Sequence, residues 1–130
     1  MKKCSKCKLT LNEDDFYKHN RNCKKCHLEN MRNYHSKNKD KVDLGKRKRS
    51  LFKKYGVSLE QYDDMLHHQN GECAICKSKD VGRKGAKYFN VDHCHSTGKV
   101  RGLLCHNCNI ILGKIKDSKE WLSVAIKYLD

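Results

Sequence analysis

Two groups of four cysteines constrain this chain more strongly than any other feature of its sequence. Each group consists of two Cys-x-x-Cys pairs. The members are Cys4, Cys7, Cys23 and Cys26 in the first group and Cys73, Cys76, Cys105 and Cys108 in the second. Of the 130 residues 37% are hydrophobic and 34% are charged, so a large self-sufficient hydrophobic core is not expected. Chains of this kind gain stability from cross-links or from bound metal ions.

The spacing of the cysteines favours zinc over disulfide bonds. Fifteen residues separate the two pairs of the first group, which is typical of a four-thiolate zinc site, and 28 separate those of the second. The N-terminus carries no secretory signal and no apolar run reaches membrane-spanning length, which predicts a cytoplasmic protein with reduced thiols. Free thiols and redox chemistry are the alternatives, although a redox site needs one exposed dithiol. We predict two structural Zn²⁺ ions, one in each group.

The net charge of +14 is the second constraint. Ten basic and two acidic residues fall within residues 31–54, between the two cysteine groups. An excess of this size in a small protein points to a polyanionic partner, and nucleic acid is the leading candidate. A membrane surface fits less well, because the basic stretch lacks a strong apolar face.

The cysteines and the charge together predict three segments. Residues 1–30 form an N-terminal zinc module, residues 31–54 form a basic helical connector that Gly45 interrupts, and residues 55–130 form an α+β domain. In that domain Ser58 and Gln61 form a capping box at the start of a helix. The fold class predicted for the whole chain is therefore α+β, stapled by zinc.

The rest of the domain is predicted to contain a hairpin and two further helices. Residues 87–93 and 99–105 have the pattern of two short strands, and a helix follows near Cys105. The last helix begins near Asp117, and its apolar face is predicted to be part of the core. That face consists of Trp121, Leu122, Ala125, Ile126 and Leu129.

Three polar residues in this ββα arrangement are not needed by a structural zinc site. Asp92 and His93 end the first strand, and Asn109 follows the last cysteine in the first turn of the helix. A carboxylate and an amide oxygen suit Mg²⁺ or Mn²⁺, and a neutral imidazole can act as a general base. Neighbouring residues of a regular strand face opposite sides, so the strand must end or bulge at Asp92 if both belong to one site.

Each of these residues also has a structural interpretation. A single Asp is commonly a turn residue, a single Asn at a helix start is commonly polar surface, and an isolated His is more often structural than functional. Cys94, the ninth cysteine, is interpreted as an ordinary thiol, with a role as ligand or nucleophile as the alternative. The joint arrangement of Asp92, His93 and Asn109 favours a site.

The stretches "QNGECAIC", "VDHCH", "GKVRGLLCHNCN" and "KEWLSVAIKYL" resemble the phage recombination endonuclease VII family, which belongs to the His-Me finger (HNH-like ββα-metal) nucleases. The resemblance covers about residues 55–130. It implies that zinc braces the fold, that Asp92 and Asn109 hold the catalytic divalent ion, and that His93 activates water. It also implies that His95 contacts or polarises the phosphate and that the products carry 5′-phosphate and 3′-hydroxyl ends.

DNA is accordingly the predicted partner, with branched or junction DNA as a candidate substrate and the host cytoplasm as the location if a phage encodes the chain. Phosphate contacts are predicted for eight basic residues. They are Lys46, Arg47, Lys48, Arg49, Lys53, Lys54, Lys99 and Arg101. A non-catalytic, zinc-stabilised nucleic-acid-binding protein and a nuclease acting on RNA are the alternatives. A monomer and a homodimer are equally compatible with the sequence.

Overall fold

The computed structural model describes residues 1–130 and divides them into two compact units, Met1–Arg47 and Lys48–Asp130. Five α-helices and two small antiparallel sheets make up the chain, so the α+β prediction is confirmed. None of the helices has the length and apolar character that a membrane span requires.

The first unit is built around the first cysteine group. Its elements are β1 (Lys2–Lys3), β2 (Thr10–Leu11), a short 3-10 helix (Glu13–Asp15) and α1 (Lys24–Lys37). β1 and β2 pair antiparallel. Apart from three of the cysteines, Phe16 is the one buried hydrophobic side chain, with Leu11 packed against this cluster. So small an apolar cluster fits a unit that gains stability from a metal ion, which its four cysteines could hold.

The basic stretch lies in α1 and in α2 (Lys39–Tyr55), and α2 contains the boundary between the two units. The predicted interruption at Gly45 is wrong, because α2 continues through that residue. The helices separate instead at Asn38, whose backbone and side-chain N–H groups both donate to the Tyr34 carbonyl at 2.9 Å. A single glycine costs a helix only about 1 kcal/mol, which is too little to end it without a competing cap.

The second unit contains the larger core. Its remaining elements are α3 (Leu59–His68), β3 (Asn90–His93), β4 (Val100–Leu104), α4 (His106–Lys114) and α5 (Lys119–Leu129). Tyr62 and Leu103 are its largest fully buried side chains, and the Tyr62 hydroxyl donates to the Phe89 carbonyl at 2.9 Å. The capping box of Ser58 and Gln61 is confirmed at the start of α3.

The edge of β4 that does not pair with β3 is hydrogen-bonded by a side chain rather than by another strand. Gln69, just after α3, accepts a hydrogen bond from the Leu103 N–H and donates to the Leu103 carbonyl, each at 2.9 Å. This amide approaches the strand at Gly102, where a Cβ atom would lie 3.0 Å from the Gln69 Oε1 atom. α3 and β4 are thereby held together next to the predicted site.

α5 departs from the prediction. It begins at Lys119, with Ser118 as its N-cap, close to the start expected near Asp117, but none of its residues is buried. Trp121 and Ile126, predicted to be core residues, are 55% and 62% exposed. The prediction was wrong because apolar periodicity identifies an amphipathic helix without identifying what covers its apolar face. The core of this unit is already formed by α3, the hairpin and the end of α2.

Candidate active site

Each cysteine group could hold a zinc ion. The four Sγ atoms of each group lie within 4.8 Å of one another. In the second group the Cys76 and Cys105 Sγ atoms are 3.7 Å apart, close to the roughly 3.8 Å between ligands of a tetrahedral zinc with Zn–S bonds of about 2.3 Å. A disulfide would need about 2.05 Å. The geometry therefore fits a four-thiolate ion.

The pKa values of the thiols also favour a bound cation. A hydrogen bond from the Cys23 backbone N–H lowers the pKa of Cys4 to about 6. Burial raises the pKa of Cys73, but backbone N–H groups, first that of Cys105, outweigh it and lower this pKa also to about 6. Burial instead raises the pKa of Cys108 to about 12. A cluster of this kind ionises fully only when a cation neutralises it.

The second cysteine group also orients α4. Cys105 is the N-cap of that helix, and its Sγ atom accepts a hydrogen bond from the Cys108 N–H at 3.5 Å. Cys108 therefore lies in the first helical turn, facing the sulfur cluster, and Asn109 is turned about 100° further round the helix. The metal-binding cluster and the Asn109 side chain are fixed by the same helical turn.

All four predicted catalytic residues line one cavity of about 130 Å³. Asp92, His93 and His95 reach it from the hairpin, and Asn109 reaches it from α4. The rings of His93 and His95 have centroids 4.9 Å apart. Asp92 is buried, whereas both rings are at least partly accessible. The arrangement combines a shielded carboxylate with imidazoles that an incoming substrate can reach.

A β-bulge brings Asp92 and His93 to the same cavity. Asp92 pairs with Gly102 and His93 pairs with Val100, so that Arg101 is the extra residue of β4. The register shift falls between Asp92 and His93, at the position that the sequence requires for a shared site. Bulges commonly redirect a side chain in this way beside active sites.

Arg101, predicted to contact DNA, forms an ion pair with the predicted metal ligand Asp92. Its Nε and Nη2 atoms donate to the Asp92 carboxylate oxygens at 2.7 and 2.9 Å. Both oxygens of Asp92 thus bind a guanidinium in this structure. A cation already lies where the sequence predicts a divalent ion, which shows that the position favours positive charge.

Two residues of the cavity were missed by the sequence analysis. Tyr55 packs its ring 5.4 Å from that of His93. Asp117 Oδ2 lies 3.2 Å from His95 Nδ1 and accepts a bond from Arg101 Nη2 at 3.3 Å. The hydrogen bond from His95 holds the pKa of Asp117 below its usual range, with Arg101 adding to the effect against burial. The adjacent residues Asp117 and Ser118 could have indicated Asp117, because only one of them can cap α5 and the other then needs a different explanation.

Cys94 occupies a turn that repeats the geometry of the metal-binding cysteines. Its N–H donates to the Lys99 carbonyl at 2.8 Å and its carbonyl accepts from the Gly98 N–H at 2.7 Å. Cys4 and Cys73 make equivalent bonds, to the residues five and four positions further along the chain. Thr97 stands where the second cysteine would be. Hydrogen bonds from Thr97, first from its side chain, lower the pKa of Cys94 to about 7.

The predicted DNA-contacting residues fall into two places. Six lie on α2, of which Arg47 is partly buried. The other five are exposed and are Lys46, Lys48, Arg49, Lys53 and Lys54. Lys99 lines an open depression of about 740 Å³ beside the cavity, together with Arg101, Lys116 and Lys119. The depression is therefore predominantly cationic.

Comparison with known proteins assigns this chain to a family. The sequence profile of the recombination endonuclease VII family matches residues 48–130. The Gene 59 proteins of Mycobacterium phages D29 and L5 are 46% and 43% identical over 76 residues, which are 58% of this chain and 44% of each relative. The chain thus spans less than half the length of these relatives. No solved structure matches it. The profile covers well over half of the chain, which therefore belongs to the recombination endonuclease VII family.

Proposed function

We propose that this protein is a divalent-metal-dependent endonuclease that hydrolyses phosphodiester bonds of DNA. Family membership supports an endonuclease acting on DNA. The single observation that carries the mechanism is the convergence of Asp92, His93, His95 and Asn109 on one cavity. In this proposal residues 55–130 perform the cleavage, residues 1–30 form a zinc module, and residues 31–54 hold the substrate.

Asp92 and Asn109 would hold Mg²⁺ or Mn²⁺. The donors fit, because carboxylate and amide oxygens are the ligands these ions prefer and the cavity is small and polar. A further sign is Asp117 Oδ1, which is buried and has no hydrogen-bond partner. When bound, the ion supplies neutralisation of the charge that develops on the phosphate and the leaving oxygen.

His93 would act as the general base. Its imidazole accepts a proton from a water molecule, the water oxygen forms a bond to phosphorus, the bond to the 3′-oxygen breaks, and that oxygen takes up a proton from solvent. The products then carry 5′-phosphate and 3′-hydroxyl ends. Tyr55 packs against the His93 ring, and His95, whose ring lies next to that of His93, would contact the phosphate. Removal of a general base typically costs about 10²- to 10⁴-fold in rate.

The basic residues of α2 and of the depression would position the DNA backbone. Contacts of this kind carry no sequence information, but each one makes binding weaker as salt increases. Six to ten such contacts lower affinity by about 10³- to 10⁵-fold between 50 and 200 mM salt. Branched DNA is a candidate substrate alongside linear duplex, and four-way and linear oligonucleotides compared at one salt concentration distinguish them.

The test is a supercoiled-plasmid assay with Mg²⁺, with Mn²⁺ and with EDTA, run beside a gel shift on the same DNA. We expect cleavage by the wild type only with a divalent ion, and nicks that DNA ligase reseals, since resealing needs 5′-phosphate and 3′-hydroxyl ends. His93→Ala should bind the DNA without cutting it. His67→Ala is its matched control, because His67 is an exposed histidine of α3 outside the cavity. Binding without cleavage under every ion would refute the proposal and favour the non-catalytic binding protein. In a parallel assay on RNA, cleavage of RNA but not of DNA would refute DNA as the substrate.

A further inference from the structure

We propose that Asp117 is a positioning residue of the active site, which fixes His95 and Arg101 for the substrate phosphate. The inference rests on the proposed function for its kinetic consequence, although the contacts that carry it do not. Asp117 joins two groups that come from different parts of the hairpin. One carboxylate oxygen, Oδ2, is hydrogen-bonded to both His95 Nδ1 at 3.2 Å and Arg101 Nη2 at 3.3 Å.

The first consequence concerns the tautomer of His95. An Nδ1 atom that donates to a carboxylate must carry a proton, so Nε2 is left as the ring atom available to the substrate. The His95 side chain is 67% exposed, and the bond to Asp117 is its one hydrogen bond. Without Asp117 this ring would have no polar contact to orient it.

The second consequence concerns Arg101. This side chain is shared between Asp92, which holds it by two bonds, and Asp117, which holds it by one. Asp117 thus gives the guanidinium a second anchor beside the predicted metal ligand. If a divalent ion replaces Arg101 at Asp92, the Asp117 anchor keeps the guanidinium at the edge of the cationic depression, within reach of a bound phosphate.

The backbone conformation at Asp117 is compatible with a role of its side chain in the cavity. Lys116 and Asp117 adopt positive φ values of 51° and 56°, a conformation that glycine accepts most readily. The turn after α4 is closed by bonds from the Lys116 and Asp117 N–H groups to the carbonyls of Gly113 and Leu112. That geometry needs no carboxylate. Asp is among the non-glycine residues that adopt positive φ most often, so the backbone permits this residue, and the contacts of its side chain carry the inference.

The first experiment uses ¹⁵N spectra of the histidine rings in the zinc-loaded, divalent-free protein, with His95→Gln to assign the signal. We expect protonated Nδ1 for His95 in the wild type, and loss of this preference in Asp117→Ala. Asp117→Asn removes the charge, keeps a hydrogen-bond acceptor and tolerates positive φ, so it should retain part of the preference. Glu120→Gln is the matched control, because Glu120 is an exposed acid of α5 outside the cavity. An unchanged His95 signal in Asp117→Ala would overturn the proposal.

The second experiment measures kcat and KM for DNA cleavage by the same variants. A misplaced group costs up to about 10²-fold, so we expect kcat of Asp117→Ala to fall roughly 10- to 100-fold with KM nearly unchanged, and Asp117→Asn to lie between it and the wild type. Equal kcat values for Asp117→Ala and Glu120→Gln would refute the positioning role. Loss of zinc or of folding in both Asp117 variants would also refute it, by showing a purely structural residue. Wild-type protein that binds but never cuts would instead refute the proposed function, while the ring spectra still test the Asp117–His95 contact.

Discussion

Replacement of Gln69 by alanine tests whether this side chain stabilises β4, the strand with the bulge opposite Asp92 and His93. The Gln69 amide makes three hydrogen bonds, two to Leu103 and one to the Glu72 carbonyl at 2.8 Å. The Leu103 carbonyl also accepts from the Ala74 N–H at 3.0 Å, so it keeps a partner. The Leu103 N–H would lose its partner in Gln69→Ala, and Leu103 is fully buried. An orphaned buried donor costs about 1–3 kcal/mol, and we expect the free energy of unfolding to fall by about 2 kcal/mol.

The assay is urea unfolding of the zinc-loaded protein, with His67→Ala, on the exposed face of the preceding helix α3, as the control. Surface substitutions of that kind change the free energy of unfolding by no more than about 0.5 kcal/mol. Cleavage by Gln69→Ala should also decline, since β4 carries Arg101 and pairs with β3 at Asp92. Gln69→Ala and His67→Ala proteins of equal stability would refute the reasoning, because the strand edge would then not depend on this amide.

Three further outcomes follow from the site. Removal of zinc by a chelator should unfold the hairpin and α4 together, seen as loss of circular-dichroism signal and of cleavage; retention of structure without metal would contradict the structural role. In the zinc-loaded protein one equivalent of iodoacetamide should label Cys94, with a rate that rises to a plateau above pH about 7, where its thiolate predominates; a rate still rising at pH 9 would indicate an ordinary thiol. Arg101→Gln should bind Mn²⁺ more tightly than the wild type in an electron paramagnetic resonance titration, because the guanidinium no longer competes for Asp92; unchanged or weaker binding would contradict this competition.

Local chemistry explains which parts of the fold were predictable. Cysteine spacing specified both sulfur clusters, because each consists of two local Cys-x-x-Cys pairs. The capping box marked the start of α3, because its two side chains lie three residues apart. The need for a bulge at Asp92 could be deduced because side chains alternate along a strand. These features depend on neighbouring residues, on strand alternation or on ligands with fixed geometry.

The features that were missed depend on tertiary contacts. The apolar face of α5 could not be assigned to the surface, since periodicity does not identify a packing partner. Arg101 was expected to contact DNA, and its pairing with Asp92 depends on a bulge whose extra residue could not be specified from spacing. Asp117 joins the site through the turn between α4 and α5, 22 residues beyond the histidine that it contacts. Sequence therefore identified the chemical groups, and the structure was needed to identify their neighbours.

The most direct test of the account is the single-turnover rate of DNA cleavage by wild-type and His93→Ala proteins in Mg²⁺, at enzyme concentrations that saturate binding. The account predicts a rate for His93→Ala that is about 10²- to 10⁴-fold lower, with unchanged DNA affinity and zinc content. A His93→Ala protein that cleaves at the wild-type rate would contradict the assignment of His93 as the base and, with it, the proposed mechanism.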